Sequence, residues 1–209
     1  MESTVPRPRA HLFSYLKFAL GAAFVLAAGI AGANAQALSL QVDPARTTVK
    51  FTLDASLHSV HGTFKPKPGT VQYDPGSAKI SGTITVDAQS GESGNASRDR
   101  KMHKDVLESS RFPDIVFHPD GVDGSVAAQG KSSVKVHGMF NVHGEDHEID
   151  VPAEVEMTPD HWSATLHFTI PYAKWGMKNP SNLFLHVGDS VEIEIAAAGI
   201  VGKAAAGSQ

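Results

Sequence analysis

Trp162-Ser163-Ala164-Thr165-Leu166-His167-Phe168-Thr169-Ile170 is the stretch on which the fold turns. Trp162, Ala164, Leu166, Phe168 and Ile170 fall on one side of an extended chain, and Ser163, Thr165, His167 and Thr169 fall on the other. A period of two with one apolar face marks a half-buried strand of an antiparallel sheet. The same reading holds outward in both directions. Val49, Phe51 and Leu53 alternate with Lys50, Thr52 and Asp54. Residues 79–87 alternate on Ile80, Ile84 and Val86, and residues 133–142 on Val134, Val136, Phe140 and Val142. Residues 147–156 do so on Ile149, Val151, Ala153 and Val155, and residues 190–197 on Val191, Ile193 and Ile195. Shorter strands are expected at 57–64, 69–73 and 114–118.

Turn chemistry separates these runs at Asp74-Pro75-Gly76, Asp120-Gly121, Asp123-Gly124 and His143-Gly144-Glu145-Asp146, where Gly, Asp and Pro supply the required backbone angles. Residues 97–109 break the rhythm. Met102, Val106 and Leu107 recur there at helical spacing, without Gly or Pro, so the spacing predicts one short helix capped by Ser97 or Asp99. A flexible SGESGN loop at 90–95 is expected before it. Eight or nine strands and one helix leave two architectures: two sheets face to face, or one sheet closed on itself. Runs of eight to ten residues suit an eight-stranded barrel, whose interior is either filled or holds one small ligand.

The N-terminus is set apart by composition. Arg7, Arg9 and Lys17 against Glu2 precede the uncharged run FALGAAFVLAAGI at 18–30, which ends in Ala33-Asn34-Ala35. This order is that of a secretory signal peptide spanning 1–35, with cleavage after Ala35 or, by a slip, after Ala37. Its apolar core is shorter than the roughly 20 residues a membrane span needs, so no stable span is expected after cleavage. The remaining 174 residues carry 15 basic and 21 acidic side chains, a net charge of −6. That balance argues against a nucleic-acid partner. The absence of Cys from the sequence excludes disulfides, thiolate metal sites and thiol catalysis. Export implies the periplasm of a two-membrane bacterium or the medium outside the cell. Residues 199–209, rich in Gly and Ala, read as a flexible tail.

An ordered set of short motifs resembles the YceI family of exported bacterial proteins. The set begins with Phe51-Thr52-Leu53, His61-Gly62-Thr63-Phe64 and Gly69-Thr70-Val71. It continues through Arg98-Asp99, Phe112-Pro113-Asp114-Ile115-Val116-Phe117 and the run from Gly138 to Gly144, and closes with Trp175-Gly176-Met177 and the run from Val187 to Val191. The resemblance spans 38–198. It implies an all-β, lipocalin-like closed antiparallel barrel of about eight strands with one short helix. It further implies a bore holding an amphiphilic isoprenoid-type lipid or quinone, with no cofactor and no catalysis. The apolar strand faces then supply the candidate lining: Phe51, Leu53, Ile84, Val86, Phe117, Val136, Phe140, Leu166, Phe168, Ile170, Ile193 and Ile195. Arg98, Asp99 and Trp175 are the candidates for the mouth. The stretch from Arg98 to Pro113 is more charged and slightly shorter than the usual family pattern, and Lys178-Asn179-Pro180-Ser181 maps onto no family ligand contact.

Two other chemistries deserve weighing. A filled barrel acting as a stress-related interaction module would show the same alternation. So would a His-dependent metal or small-molecule binder, since His58 and His61 are three apart and His137, His143 and His147 surround one turn. Strand parity, however, sends His137 and His143 to the solvent face and His147 to the face of Ile149, which separates the ligands zinc needs. The SGESGN loop lacks the Lys of a phosphate-binding loop, and no nucleophile elbow is present. The pattern does not decide between a monomer and a homodimer.

Overall fold

The computed structural model describes residues 37–183 and 185–203. The expected leader and its cleavage site lie outside them, as does the tail beyond Lys203. Ten strands follow in order: β1 (Leu38–Val42), β2 (Thr48–Leu53), β3 (Val60–Pro66), β4 (Gly69–Asp74), β5 (Lys79–Glu92), β6 (Asp114–Asp123), β7 (Gly130–Val142), β8 (Glu145–Met157), β9 (His161–Ile170) and β10 (Val191–Lys203). Between β5 and β6 lies α1 (Ala96–Lys101), which continues as a π turn through Met102–Val106. All ten strands belong to one compact unit.

The sheet closes through β5, β3, β2, β10, β9, β8, β7, β6 and back to β5. This is the antiparallel barrel that the alternation allowed and the resemblance implied. β1 and β4 are additional, and they make the wall between β10 and β5 two storeys tall. β10 pairs with β2 over Glu192–Ala196 and with β1 over Gly199–Lys203. β5 correspondingly pairs with β4 over Lys79–Thr83 and with β3 from Val86 to Glu92. The β1/β4 storey is therefore a circuit of eight strands, and the β2/β3 storey is one except where the β8–β9 ladder stops short; a paired edge cannot recruit another chain.

The handover between storeys leaves Ala198 without a strand partner on that side. Its N–H donates to the Thr47 hydroxyl at 3.2 Å, and its carbonyl accepts from Asp43 N at 2.9 Å and Thr47 Oγ1 at 3.4 Å. Thr47 is buried, so the hydroxyl satisfies backbone groups that water cannot reach. The 3-10 turn Pro44–Arg46, capped by the Asp43 carboxylate on Ala45 N, sets Thr47 in place.

Four details differ from expectation. β10 continues as strand to Lys203, because Gly199–Lys203 pairs on both sides, with β1 and in part with β9; the tail does not fray from Gly199. β5 runs past Asp87 to Glu92 through a bulge, where Ser90 Oγ accepts from Lys65 N at 2.7 Å and donates to Asp87 O at 2.6 Å. The expected loop shrinks to Ser93–Asn95. Asn95, not Ser97 or Asp99, caps the helix, its Oδ1 accepting from Ser97 N and Arg98 N at 3.1 Å each. β1 has no counterpart in the alternation, because its buried residues are Ser39 and Val42, which carry no period of two. The β7–β8 hairpin does follow its turn chemistry: His143 and Gly144 both have positive φ, as a two-residue hairpin turn requires.

Replacing Thr47 by Val keeps the shape and removes the hydroxyl, leaving Ala198 N–H buried and unpaired. Chemical denaturation should show a loss of about 1–3 kcal/mol; a loss below about 0.5 kcal/mol would mean that water takes over the bond.

Candidate ligand cavity

The two storeys differ in filling. Val42, Val71, Tyr73, Val134, Ala153, Met157 and Ala198 are buried toward the β1/β4 end, where side chains fill the interior. The β2/β3 end is hollow, with a cavity of about 550 Å³, within the range of small-molecule sites. Phe51, Leu53, Val86, Phe140, Phe168, Ile170, Ile193 and Ile195 line it, eight of the twelve residues expected to do so.

Ile84, Phe117, Val136 and Leu166 do not reach it. Ile84 sits across from Phe117, Val136 across from Val122 and Val151, and Leu166 across from Ala153 and Ile195. Phe117 instead packs against the cluster of Phe140, Val142, Ile170, Tyr172 and Met177. Alternation assigned all four to the interior face, and all four are half-buried. It carries no information about height along the axis or about which neighbour stands in between: Val136 pairs with Val151 away from the cavity, whereas Phe117 packs on residues that themselves line it.

Other lining residues come from outside the strand pattern. Met102, Val106 and Leu107, the apolar side of the helical segment, cover one flank. Tyr172, Met177, Leu185 and Val187 line it from an irregular segment that has no period to read. That segment also repairs a gap in the wall. The β8–β9 ladder covers only Ala153–Met157 with Trp162–Leu166, so the two strands are unpaired beside the cavity. Trp175 stacks on His147 there, centroids 4.0 Å apart and planes 5° from parallel, and lies 6.0 Å from the Phe140 ring. Trp175 thus belongs to the wall and not to the mouth, as does His147, whose Nε2 is buried without a hydrogen-bond partner. Tyr172 donates to Gly188 O at 2.7 Å, and burial, with the nearby Asp189, pushes its phenol up to about 12.

The polar part of the lining is concentrated in one place. Ser93, Asn95, Ser97, Arg98 and Lys101 all belong to the start of the helical segment, and Asn95, Ser97 and Lys101 are exposed, which locates the opening. Arg98 donates from Nε to Ser93 Oγ and from Nη2 to Ser93 O, both at 2.7 Å. Asp99 accepts from Ser93 N at 2.9 Å and from the Ser93 hydroxyl. Asp99 therefore anchors the loop and does not line the cavity. Across the opening, Lys101 Nζ donates to Pro180 O at 2.9 Å.

The histidines stay apart. His137, on the outer face, is held between Asp120 at 2.5 Å and Glu148 at 2.9 Å. His143 sits 3.3 Å from Glu108 and against the Phe112 ring, and His61 shares a bond with Thr52. Among the described residues, no three His, Cys, Asp or Glu are arranged to hold a metal ion. No described helix is long and apolar enough to cross a membrane.

With this geometry in place, comparison with known proteins is informative. The family model described as the YceI-like domain matches residues 40–198. Among solved structures, BcnA of Burkholderia cenocepacia aligns with a TM-score of 0.62 at 19% identity, covering 76% of this chain and 99% of its own. A polyisoprenoid binding domain from Saccharophagus degradans, implicated in plant cell wall breakdown, aligns with a TM-score of 0.64 at 16% identity, covering 80% and 99%. A Campylobacter jejuni YCEI protein aligns at 0.55 and 19% identity over 68% and 84%. At such identities these likenesses establish the fold. No curated protein matches the chain.

The bonds from His137 to Asp120, then to Glu148, together with their charges, raise its pKa above the ordinary 6.5. A raised folded value stabilises the protonated form, so the contribution is complete below the unfolded value and disappears as pH rises through the folded one. The gap in melting temperature between the wild type and His137→Gln should therefore be larger at about pH 5.5 than at about pH 9. A gap independent of pH would show that the cluster contributes no proton-linked stability.

Proposed function

We propose that this chain, which belongs to the YceI-like domain family, binds an amphiphilic isoprenoid-like lipid or quinone in the hollow storey of its barrel and serves as an exported carrier. The observation that supports this most is the cavity itself, apolar along its walls and polar only at the Ser93–Lys101 rim. Water in such a bore makes few hydrogen bonds, and each methylene that replaces it contributes about 0.8 kcal/mol. A polar headgroup left at the rim keeps its own solvation and meets Arg98 and Ser97. A relative of the same fold is a polyisoprenoid binding domain, which favours a branched unsaturated tail over a compact ligand. The rim supports binding: Arg98 and Asp99 are both tied to Ser93, and Lys101 to Pro180 O. The leader composition at 1–35 supports export to the periplasm or beyond the cell. One chain encloses the whole cavity, so the carrier needs no second copy to complete it.

Native mass spectrometry and organic extraction of the purified protein should reveal a bound lipid, and titration with a polyprenyl alcohol and an isoprenoid quinone should saturate at one per chain. Phe168→Asp puts a carboxylate in the apolar wall and should lower that affinity at least about a hundredfold. Leu166→Ala, two residues along the same face but outside the cavity, should cost stability and leave binding nearly unchanged. A folded Phe168→Asp variant that binds like the wild type would sink the proposal.

A further inference from the structure

Two large apolar side chains stand out in water at one end of the barrel. Leu57 is 78% exposed and Leu183 is 90% exposed, whereas the third exposed aliphatic, Ile200, is 48% exposed and lies in the opposite storey. The loops that carry the two leucines are tied together. Ser56 N donates to His186 O at 2.9 Å, His186 N donates to Ser56 Oγ at 3.3 Å, and Ala55 bridges Val187. Ala55, Pro180, Leu185 and Lys101 of the same neighbourhood line the cavity, so both leucines flank its opening.

Charge is sorted the same way. The described segments at the mouth and beside it in the wall, 55–60, 93–107, 174–183 and 185–187, carry Arg98, Arg100, Lys101, Lys104, Lys174 and Lys178 against only Asp99 and Asp105. The chain as a whole has 18 basic and 22 acidic side chains, so a basic rim caps an acidic body. Among the described residues none of the six cations is in an ion pair. Four carboxylates flank these segments: Asp54 accepts from Ser59 and Asp189 from Asn179, each at 2.7 Å, Glu108 lies against Arg111 and His143, and Glu92 is exposed.

We propose that the mouth docks on a lipid surface bearing anionic headgroups, Leu57 and Leu183 entering the acyl boundary while the surrounding cations meet the headgroups. Apolar residues ringed by Lys and Arg are what binding in the plane of an interface requires. A second copy of the chain does not fit the patch, since a two-fold axis there would set one basic rim against another. Docking in this orientation holds the cavity opening against the bilayer, so an apolar tail passes between them without crossing water. This step rests on the carrier reading; the contact with the membrane does not.

The test is flotation of the unit from residue 36 onward, which contains the whole closed barrel, with empty vesicles. The wild type should float with phosphatidylglycerol–phosphatidylcholine vesicles and stay behind with phosphatidylcholine alone, and raising salt from about 0.05 M to about 0.5 M should weaken the association. Leu57→Asp/Leu183→Asp and Lys174→Glu/Lys178→Glu should each lower partitioning about tenfold or more. Both variants should take up polyprenyl alcohol delivered in detergent as the wild type does, yet load more slowly from anionic vesicles. Flotation that is absent, indifferent to headgroup charge or unchanged in both variants overturns the proposal. Dimerisation through the mouth, or variants that also lose detergent-delivered ligand, would overturn it too. A wild type that floats but binds no polyprenyl alcohol would leave docking standing and remove the carrier reading instead.

Discussion

Closure of the sheet is the constraint from which the other features follow. A chain without cysteine has no covalent staple, and its strands have edges that must be paired or covered. Here every strand has a neighbour on both sides, and the circuit is completed where β5 meets β6. With eight strands around, the interior is wide enough to be filled by side chains or to hold a small ligand. This barrel does one at each end.

The long strands β5 and β10 make that division possible. Each takes two partners in series, so the wall between them changes strands halfway up. The handover depends on the buried hydroxyl of Thr47 and the backbone N–H of Asp43, whose bonds replace a missing ladder rung at Ala198. At the other side of the hollow storey the ladder between β8 and β9 stops early. There the wall is side-chain packing, with the His147–Trp175 stack standing where backbone bonds would otherwise run. One wall is thus held by directional bonds and the other by apolar and aromatic contact. The second kind of wall is the more adaptable, and it borders the cavity.

The mouth is built from the least regular parts of the chain. A short helix, a π turn and the segment after β9 meet around it, joined by Lys101 to Pro180 O and by Ser56 to His186. Ser93 organises one side, accepting from Arg98 while donating to Asp99. These contacts fix an opening between a greasy interior and a basic rim. Such an opening suits a molecule that is apolar along most of its length and polar at one end.

Alternation in the sequence by itself determined much of this protein. Strands such as 162–170 and 190–197 were legible because each has water on one side and apolar contact on the other, which a period of two records directly. The inward faces of Phe51, Phe140, Phe168 and Ile193 followed from it, as did the outward face of His137 and the inward one of His147. Closure and the lipocalin-like architecture came from the resemblance, as did the expectation of an isoprenoid-type ligand, since a sandwich would alternate equally well. Only the tertiary structure decided the height of each side chain along the axis. Leu166 and Phe168 share a face in sequence, but only Phe168 lines the cavity, because Leu166 ends the ladder with β8, across from the buried Ala153, and Phe168 lies beyond it. The same holds for Asp99 and Trp175, whose roles are settled by partners distant in the chain, Ser93 and His147. Pairing partners and register are long-range choices that leave no local trace in residue order, whereas the preference of each residue for water or apolar contact leaves one at every position.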